Sequence, residues 1–567
     1  MQLRSSNFQL PTSPKHLPLP TSFNRQSMQN KIRTVLLCIA LTIQGYSHIA
    51  VAQQLTLPLN TDYNTTLQKE IYRPEVRFHS SIRPYVFSEV NNIVNIDSLN
   101  NSRRLNLNSK VVWKQKVLES LFNKDVVRLT GKDYSIAVNP LLQFEAGHDF
   151  TSDKNTWINT RGIEVKGSLG ERFSFYTSFR ENQAVFSPYV DNFVRKNSVV
   201  PGQGIPKSFG EGGFDYAYAT AYISYKGGDW FNVQFGNGRN FLGDGHRSLL
   251  LADNTFPYPY LKLTGEVWHI KYMALYTQMI DIRSRNSYNS NYGRKYSTTH
   301  YLSWAATKRL NISLFDAIIW EAEDSAGYRG FDVQYLNPII FLRPVEFSIG
   351  SPDNAMMGMT VSYKAGKNAI FYGQLALDEF KIEEIKAGNG WWANKYAFQL
   401  GLKSHEAFGI PNLYLQTEYN WVRPYMYTHF EVKQNYGHYN QPIAHPWGAN
   451  FWESVSFLKY NYKRWHLHYE LQYGVYGDDY DGLNYGHDIY KDYNSRVQDY
   501  GNEVGQGMKT SVLLNDITVS WLINPAYNLN IYTGITQRHI QSDVRDDKEL
   551  MLHFGLRTSL ENMYVDF

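Results

Sequence analysis

The sequence has very little cysteine and no concentrated charge, and both shortages narrow the possible functions. Among 567 residues there is one cysteine, Cys38, and it lies in a segment that we predict is removed on export. A chain without Cys38 has no disulfide, no zinc-thiolate site and no cysteine nucleophile. The 56 basic and 52 acidic residues leave a net charge of only +4, whereas nucleic-acid binding needs a concentrated basic face. We therefore expect no nucleic-acid partner.

Long apolar runs are also missing from most of the chain. No segment after Gln53 approaches the roughly 18 consecutive apolar residues of a transmembrane helix, so we expect no transmembrane helix there. Near the start, two basic residues precede the apolar run 35–41, and Ala50-Val51-Ala52 supplies small residues for cleavage. This order predicts a signal peptide over residues 1–52, with Met28 as the true initiator. A membrane anchor is the alternative, but this run is shorter than the roughly 20 residues that a spanning helix needs.

The rest of the chain is dominated by alternation of apolar and polar residues. Residues 220–226 alternate, Gly227-Gly228-Asp229 forms a turn, and residues 231–235 alternate again, which predicts a β-hairpin. Three further hairpins are predicted over residues 162–179, 359–377 and 517–535. Strands of about ten residues, with short turns at one end and long polar loops at the other, are typical of an outer-membrane β-barrel.

Aromatic content and the last residues favour the same fold over a soluble, secreted all-β protein. The chain holds 43 Tyr, 31 Phe and 13 Trp, enough for the aromatic girdles of a membrane barrel. Met563, Val565 and Phe567 alternate, which predicts a C-terminal strand that closes on Phe, similar to the recognition signal used in barrel insertion. At roughly 24 residues for a strand and its loop, residues 134–567 predict an all-β transmembrane barrel of about 18 antiparallel strands.

The segment between the leader and the barrel has a different pattern. Trp113, Val117 and Leu121 recur every four residues among lysines, which predicts an amphipathic helix, and residues 64–72 predict a second. We therefore expect a helical segment over residues 53–133 that either plugs the lumen or lies in the periplasm.

A glycine-rich run, FGNGRNFLGDGHRSLLLADN at 235–254, carries the first candidate site residues. A nucleotide loop would need a helix behind its glycines, and here the pattern is β. Two interpretations stay open: a turn or lumen constriction that needs small residues, or a cluster that grips a sugar or anion. The residues in question are Arg239, Asp244, Arg247, Asp253 and Asn254.

This run resembles the capsule-assembly Wzi family of Bacteroidota type, with the strongest likeness to gliding-motility RemB-like proteins. The resemblance continues in QYLNPIIFLRPVE at 334–346, GWWANKY at 390–396 and YGHYNQPIAHP at 436–446. It implies an outer-membrane barrel of about 18 strands with a helical N-terminal part, which holds surface polysaccharide or contributes to adhesion and gliding. The family has no catalytic motif to carry over.

Side-chain chemistry supplies further candidates for polysaccharide binding, because sugars are bound by planar polar groups beside aromatic faces. The alternative for the tyrosine-rich loop 473–500 is an ordinary solvated loop. These candidates are Arg343, Glu346, Arg423, His438, Asn440, His445, Tyr480, Tyr485 and Tyr490.

We predict no metal and no cofactor. Residues 479–482 lack the later oxygen ligands of an EF-hand loop, and the spacing of His429, His438 and His445 matches no zinc motif.

Glycan hydrolysis needs two carboxylates roughly 5 to 10 Å apart, and nothing in the sequence pairs any. We predict a non-enzymatic barrel that binds surface polysaccharide, with a solute channel and a scaffold subunit as alternatives. The expected partners are cell-surface polysaccharide, outer-membrane lipid and motility or secretion machinery.

Overall fold

The computed structural model describes residues 54–285, 291–324, 327–350 and 352–567, so the predicted signal peptide and Cys38 lie outside the described residues. Eighteen antiparallel strands, numbered here β1–β18, form a closed barrel because β18 pairs with β1. This confirms the predicted all-β barrel. The strands are Tyr134–Asp149, Lys154–Leu169, Phe173–Val185, Gly213–Lys226, Phe231–Gly238, Tyr258–Val267, Ile270–Arg285, Tyr292–Trp304, Leu310–Glu321, Asn354–Ala365, Ala369–Leu377, Tyr396–His405, Leu413–Val422, Phe451–Tyr462, Trp465–Asp478, Met508–Asn524, Leu529–Ser542 and Arg545–Thr558.

The four predicted hairpins are β2–β3, β4–β5, β10–β11 and β16–β17. In β4–β5, Ile223 pairs with Phe235 and Ser224 pairs with Gln234. Ile223 and Phe235 are exposed, whereas Ser224 and Gln234 are buried. Each strand therefore presents apolar side chains outward and polar side chains to the interior, as a membrane barrel requires.

From residue 54 onward, four helices precede the barrel: α1 (Thr61–Ile71), α2 (Phe87–Asn91), α3 (Ile96–Ser102) and α4 (Val112–Phe122). The two predicted helices correspond to α1 and α4. No helix in the part of the chain that the structure describes is long and apolar enough to cross a membrane. The short strand Val127–Thr130 follows α4 and pairs with β1.

The N-terminal segment, residues 54–102, contacts interior side chains around much of the barrel wall. Lys271 of β7 pairs with Glu89 at 2.5 Å, and Lys459 of β14 pairs with Asp62 at 2.6 Å. On β4, Tyr222 Oη accepts a 2.8 Å bond from the Thr56 amide. Because these strands lie on different sides of the barrel, the segment extends across the interior.

The two ends of the barrel differ. One end, the short-turn end, has tight turns such as those between β4 and β5 and between β10 and β11. Four exposed tryptophans lie in or beside the turns of this end: Trp230, Trp268, Trp304 and Trp465. At the opposite, long-loop end, the connections carry the remaining helices: α5 (Pro188–Asn197), α6 (Arg343–Ile349) and α7 (Ile382–Ala387).

Short elements fill the connections. The short strands are Ile82–Arg83, Lys207–Phe209, Phe241–Leu242, Glu323–Asp324, Gly327–Tyr328, Gly437–His438 and Gln441–Pro442, and the 3-10 turns are Val333–Leu336, Ala407–Gly409, Val432–Gln434 and Tyr493–Ser495.

The predicted C-terminal strand over Met563–Phe567 is wrong. Strand β18 ends at Thr558, and residues 559–567, the C-terminal tail, form no strand. Glu561 pairs with Arg180 of β3 at 3.0 Å, and Arg538 of β17 donates a 2.7 Å bond to the Phe567 carbonyl. The tail turns inward because its charged side chains find arginine partners inside the barrel, and alternation alone does not reveal those partners.

Candidate functional site

The glycine-rich run forms a connection that folds into the barrel; residues 239–257, between β5 and β6, are called the inward loop. Its strand Phe241–Leu242 pairs with Ile82–Arg83 of the N-terminal segment. Leu249 and Leu250 are buried in the main apolar cluster of the interior. The inward loop therefore joins the N-terminal segment to the core of the barrel.

Two glycines of the inward loop are needed for its close approach to the wall. Gly243 has a φ of +135°, and a Cβ there would lie 2.1 Å from the side-chain Nε2 of Gln374. A Cβ at Gly245 would lie 2.4 Å from a carboxylate oxygen of Glu418. Any side chain at either position would collide with these interior groups.

Arg247 is the centre of a buried ion network. Its guanidinium lies 2.9 Å from Glu453 of β14 and 3.0 Å from Asp566 of the C-terminal tail. Arg247 is 1% exposed and Glu453 is 0% exposed. His445 Nε2 lies 2.8 Å from the second Glu453 oxygen. The inward loop, the tail and the wall are thus held together by buried charges.

The network shifts the protonation equilibria of its members. Burial alone would raise the pKa of Asp566, but Arg247 and His246 together hold that pKa well below its usual value. Burial alone would lower the pKa of Arg247, and the two carboxylates raise it instead. Burial lowers the pKa of His445 despite the adjacent Glu453. The arrangement is that of a compensated ion cluster.

Arg239 and Asp244 also bind protein groups. Arg239 pairs with Glu561 of the C-terminal tail at 2.8 Å. Asp244 accepts bonds from Tyr72 Oη at 2.7 Å and from Ser80 Oγ at 2.6 Å. Arg239 therefore fixes the tail, and Asp244 fixes the N-terminal segment.

Asp253 and Asn254 continue this pattern. Asp253 accepts a 2.6 Å bond from Tyr564 Oη, and the Asn254 amide donates a 3.1 Å bond to the Pro442 carbonyl. All five candidates of the inward loop are buried and bonded to protein groups.

Two candidates of the connection 423–450 are likewise bonded to protein groups. His438 Nδ1 accepts a 3.0 Å bond from the Ile280 amide, and burial, reinforced by the nearby charge of Lys295, lowers the pKa of His438 to about 3. The Asn440 amide donates a 2.8 Å bond to the Asn197 carbonyl at the end of α5. His438 therefore attaches its connection to strand β7, and Asn440 attaches the same connection to α5.

Arg343 and Glu346 form a pair on α6 at 3.0 Å, with the Arg343 side chain 61% exposed. Burial raises the pKa of Glu346, although Arg343 opposes this shift. Arg343 lies at the surface of the long-loop end, whereas Glu346 is buried.

Arg423 links two long connections. Its guanidinium donates to the Trp391 carbonyl at 3.2 Å and to the Asn502 carbonyl at 3.4 Å. It therefore positions the loops that carry the aromatic residues rather than offering a free cation.

The three predicted tyrosines do not form one platform. Tyr480 and Tyr485 stack on each other, with ring centroids 5.2 Å apart and an angle of 4° between planes. The Tyr490 ring lies under the guanidinium of Arg283 at 4.2 Å. Tyr480 is 40% exposed, so its outer face is the one that a ligand can reach.

The structure also brings together residues that the sequence analysis did not select, and we call Trp391, Trp392, Tyr493 and Arg496 the outer aromatic cluster. The Trp392 ring lies 4.8 Å from Tyr493, and the Arg496 guanidinium lies 4.2 Å over Trp392. The signal that could have found it is the adjacent Trp391-Trp392 pair within a polar connection.

Backbone bonds hold the outer aromatic cluster in place. The Trp392 amide donates to the Asp499 carbonyl at 2.9 Å, and the Gly501 amide donates to the Asn389 carbonyl at 2.9 Å. Arg496 also pairs with Asp499 at 2.5 Å. Aromatic faces beside this ion pair, held on two paired loops, can stack on and hydrogen-bond to a sugar.

A cavity of about 370 Å³ lies beside the C-terminal tail. Its lining extends from Asn461 and Asn528 near the short-turn end to Tyr189 of α5 near the long-loop end. Met563 and Val565 line its tail side. The interior of the barrel therefore holds packed chain on one side and this cavity on the other.

His246, Glu470 and Asp566 place ligand atoms within 4.8 Å of one another at this cavity. Arg247 already contacts Asp566, so a cation of the protein itself balances the carboxylate.

The comparisons with known proteins concern the fold. No protein-family model and no curated protein matches this sequence. The chain is similar in structure to Wzi of Escherichia coli, an outer-membrane protein involved in group 1 capsule assembly and a carbohydrate-binding β-barrel, with a TM-score of 0.53 and 14% identity over 90% of this chain and 100% of Wzi. OprD of Pseudomonas aeruginosa aligns with a TM-score of 0.40 and 11% identity over 74% of this chain and 94% of OprD. The fold is therefore that of an outer-membrane β-barrel, and the likeness to RemB-like proteins stays a prediction.

Proposed function

We propose that this protein is a non-enzymatic outer-membrane barrel that binds surface polysaccharide at its long-loop end. The outer aromatic cluster is the observation that carries the proposal, because indole faces beside a guanidinium suit the apolar face and the hydroxyls of a sugar ring. The carbohydrate-binding activity of Wzi, which has a similar fold, supports it. Attachment of capsule or exopolysaccharide is the proposed outcome, and adhesion during gliding would use the same contact.

In this proposal the inward loop, the N-terminal segment and the C-terminal tail act as an internal support for the long loops. Arg247 and Arg239 connect the tail to the interior, and Arg423 fixes Trp391. The N-terminal segment would plug the short-turn end. A rigid support lowers the entropic cost of ordering the loops around a flexible polymer.

Co-sedimentation of refolded residues 53–567 with polysaccharide extracted from the host surface tests the proposal. We expect saturable binding that Trp391→Ala weakens and that Trp268→Ala, an exposed tryptophan at the opposite end, leaves unchanged. Absence of binding, or equal loss in both variants, with the barrel intact by heat-modifiable gel migration, contradicts it.

A second candidate function, a solute channel, is favoured by the cavity beside the C-terminal tail. Single-channel conductance in planar bilayers tests it. Conductance that rises when Met563 and Val565 are both replaced by Gly supports a path along the tail, and silent bilayers with folded protein exclude it.

A further inference from the structure

Helix α4 exposes an apolar stripe that no other part of the described chain covers. Trp113, Val117 and Leu121 are 63%, 48% and 49% exposed. At the 100° turn of an α-helix these three positions span a narrow sector. Gln115 and Glu119, on the other side of the helix, are less exposed than the stripe. The apolar side of an amphipathic helix thus points away from the protein, the reverse of a helix packed on a core.

Side chains at two short turns of the barrel bond to the end of α4 and fix its position relative to the wall. Arg464, in the turn between β14 and β15, donates a 2.9 Å bond to the Phe122 carbonyl. The Asn524 amide at the end of β16 donates 2.9 Å bonds to the carbonyls of Ser120 and Lys124. Trp465, one of the four exposed tryptophans of the short-turn end, directly follows Arg464. Because tryptophans of membrane barrels gather at the headgroup level, α4 lies near that level.

The chain that follows α4 joins the outward face of the wall. In the strand Val127–Thr130, Val127 pairs with Val138 and Leu129 pairs with Ile136 of β1. Directly paired residues share a face of the sheet, and this face is opposite to that of the buried Ala137. The exposed Val127 and Leu129 therefore extend the lipid-facing surface to within a few residues of α4.

Charge around the stripe is mainly positive. Exposed Lys114 and Lys116 flank it, Lys110 lies at one end, and Lys124 at the other end pairs with Glu119 at 3.2 Å. Glu119 is the one acidic residue between positions 110 and 124. Lysines beside an apolar stripe extend their ammonium groups toward headgroups while their stems cover apolar surface.

We propose that α4 is an interfacial helix that lies flat in the leaflet at the short-turn end, with Trp113, Val117 and Leu121 in lipid and the flanking lysines on anionic headgroups. The occupant is lipid rather than a protein, because the stripe is continuous with the outward face of the barrel and lies near the level of the tryptophan ring. The helix would tie the N-terminal segment to the membrane and so fix its orientation beneath the lumen.

The test uses the full chain with Cys38→Ser, which leaves no other cysteine. The variant Val117→Cys is labelled with an environment-sensitive dye and reconstituted in vesicles of phosphatidylethanolamine and phosphatidylglycerol. Phe235→Cys on the outward face and Lys367→Cys in a short turn are the lipid and water controls, and Leu121→Cys replaces Val117→Cys if that variant misfolds. We expect iodide quenching several-fold weaker than at Lys367 and quenching by brominated lipid similar to that at Phe235.

Two results would overturn the proposal. Iodide quenching at Val117 equal to that at Lys367 would place the stripe in water. Protection from both iodide and brominated lipid would place it against protein, including a second copy of this chain. A further expected result is that Lys114→Glu with Lys116→Glu weakens the protection when phosphatidylglycerol is present, and unchanged protection contradicts the contact with anionic headgroups.

Discussion

The inward loop and the outer aromatic cluster contain similar types of residue but use them differently. Arg239 and Arg247 in the loop are buried and paired with carboxylates of the chain itself. In the outer cluster Arg496 lies over Trp392, and its aromatic rings are only partly buried. Residue type therefore does not identify a sugar site, because buried polar groups in folded proteins are satisfied by partners wherever they lie. Arg496 is also paired with a carboxylate of the chain, that of Asp499 at 2.5 Å, but its side chain is 20% exposed. What separates the two regions is therefore exposure, because a ligand can reach the groups of the outer cluster.

The largest effect is expected from breaking the buried network. Arg247→Ala would leave the buried Glu453 and Asp566 without their main cation. Removal of one partner from a buried ion pair costs about 3–5 kcal/mol, so we expect a fall of this size in the free energy of unfolding. Urea titration followed by heat-modifiable gel migration measures it. A change below about 1 kcal/mol would mean that water or a rearranged tail replaces the arginine.

Acid is expected to weaken the interior more than the outer cluster. The pKa of His438 is lowered by burial to about 3, and burial lowers the pKa of His79 to about 4. A lowered pKa stabilises the folded state above the ordinary value of about 6.5. That stabilisation is lost as pH falls from about 6.5 toward 3.

Unfolding titrations across this pH range measure the effect. His438→Asn keeps an acceptor for the Ile280 amide but cannot take up a proton, so its stability should fall less steeply with pH than that of the parent chain. Equal slopes in the two proteins would exclude His438 as a source of the acid sensitivity.

The strands of the barrel wall are well predicted from the sequence because the alternation of apolar and polar residues depends only on near neighbours in the chain. Alternation over residues 220–235 is sufficient to place β4 and β5 and to assign their outward faces, since the period of two follows from strand geometry. The same local rule fails at the C-terminal tail. Met563, Val565 and Phe567 alternate as strand residues do, but the partners of Glu561 and Asp566 lie on distant strands and loops.

The candidate site is less predictable for the same reason. Arg239 meets Glu561 across 322 positions of sequence, and the two loops of the outer aromatic cluster are joined through Arg423 by backbone carbonyls, which no residue pattern records. Sequence alone identified residues able to bind sugar. It could not tell which of them the fold already uses.

A smaller effect is expected from Tyr480→Ala. Its ring stacks on Tyr485 at the surface, and an aromatic pair contributes about 0.5–1.5 kcal/mol, so stability should change by no more than this. Binding of the host polysaccharide should weaken if the outer face of Tyr480 contacts sugar. Co-sedimentation and urea titration of the same preparations separate the two effects, and unchanged binding would restrict the contact to the outer aromatic cluster.

The smallest effect is expected from Arg343→Ala, which removes a cation from an ion pair as Arg247→Ala does, but at the surface. Arg343 is 61% exposed and its distance to Glu346, 3.0 Å, is close to that between Arg247 and Asp566. Glu346 is buried, with 8% of its side chain exposed, but solvent screens the charge of the exposed Arg343, so we expect loss of the pair to cost about 0–1 kcal/mol. Urea titration beside Arg247→Ala checks this. If the two variants lose equal stability, burial does not explain the difference between the interior and the long-loop surface, and the distance between the charges alone sets the strength of each pair.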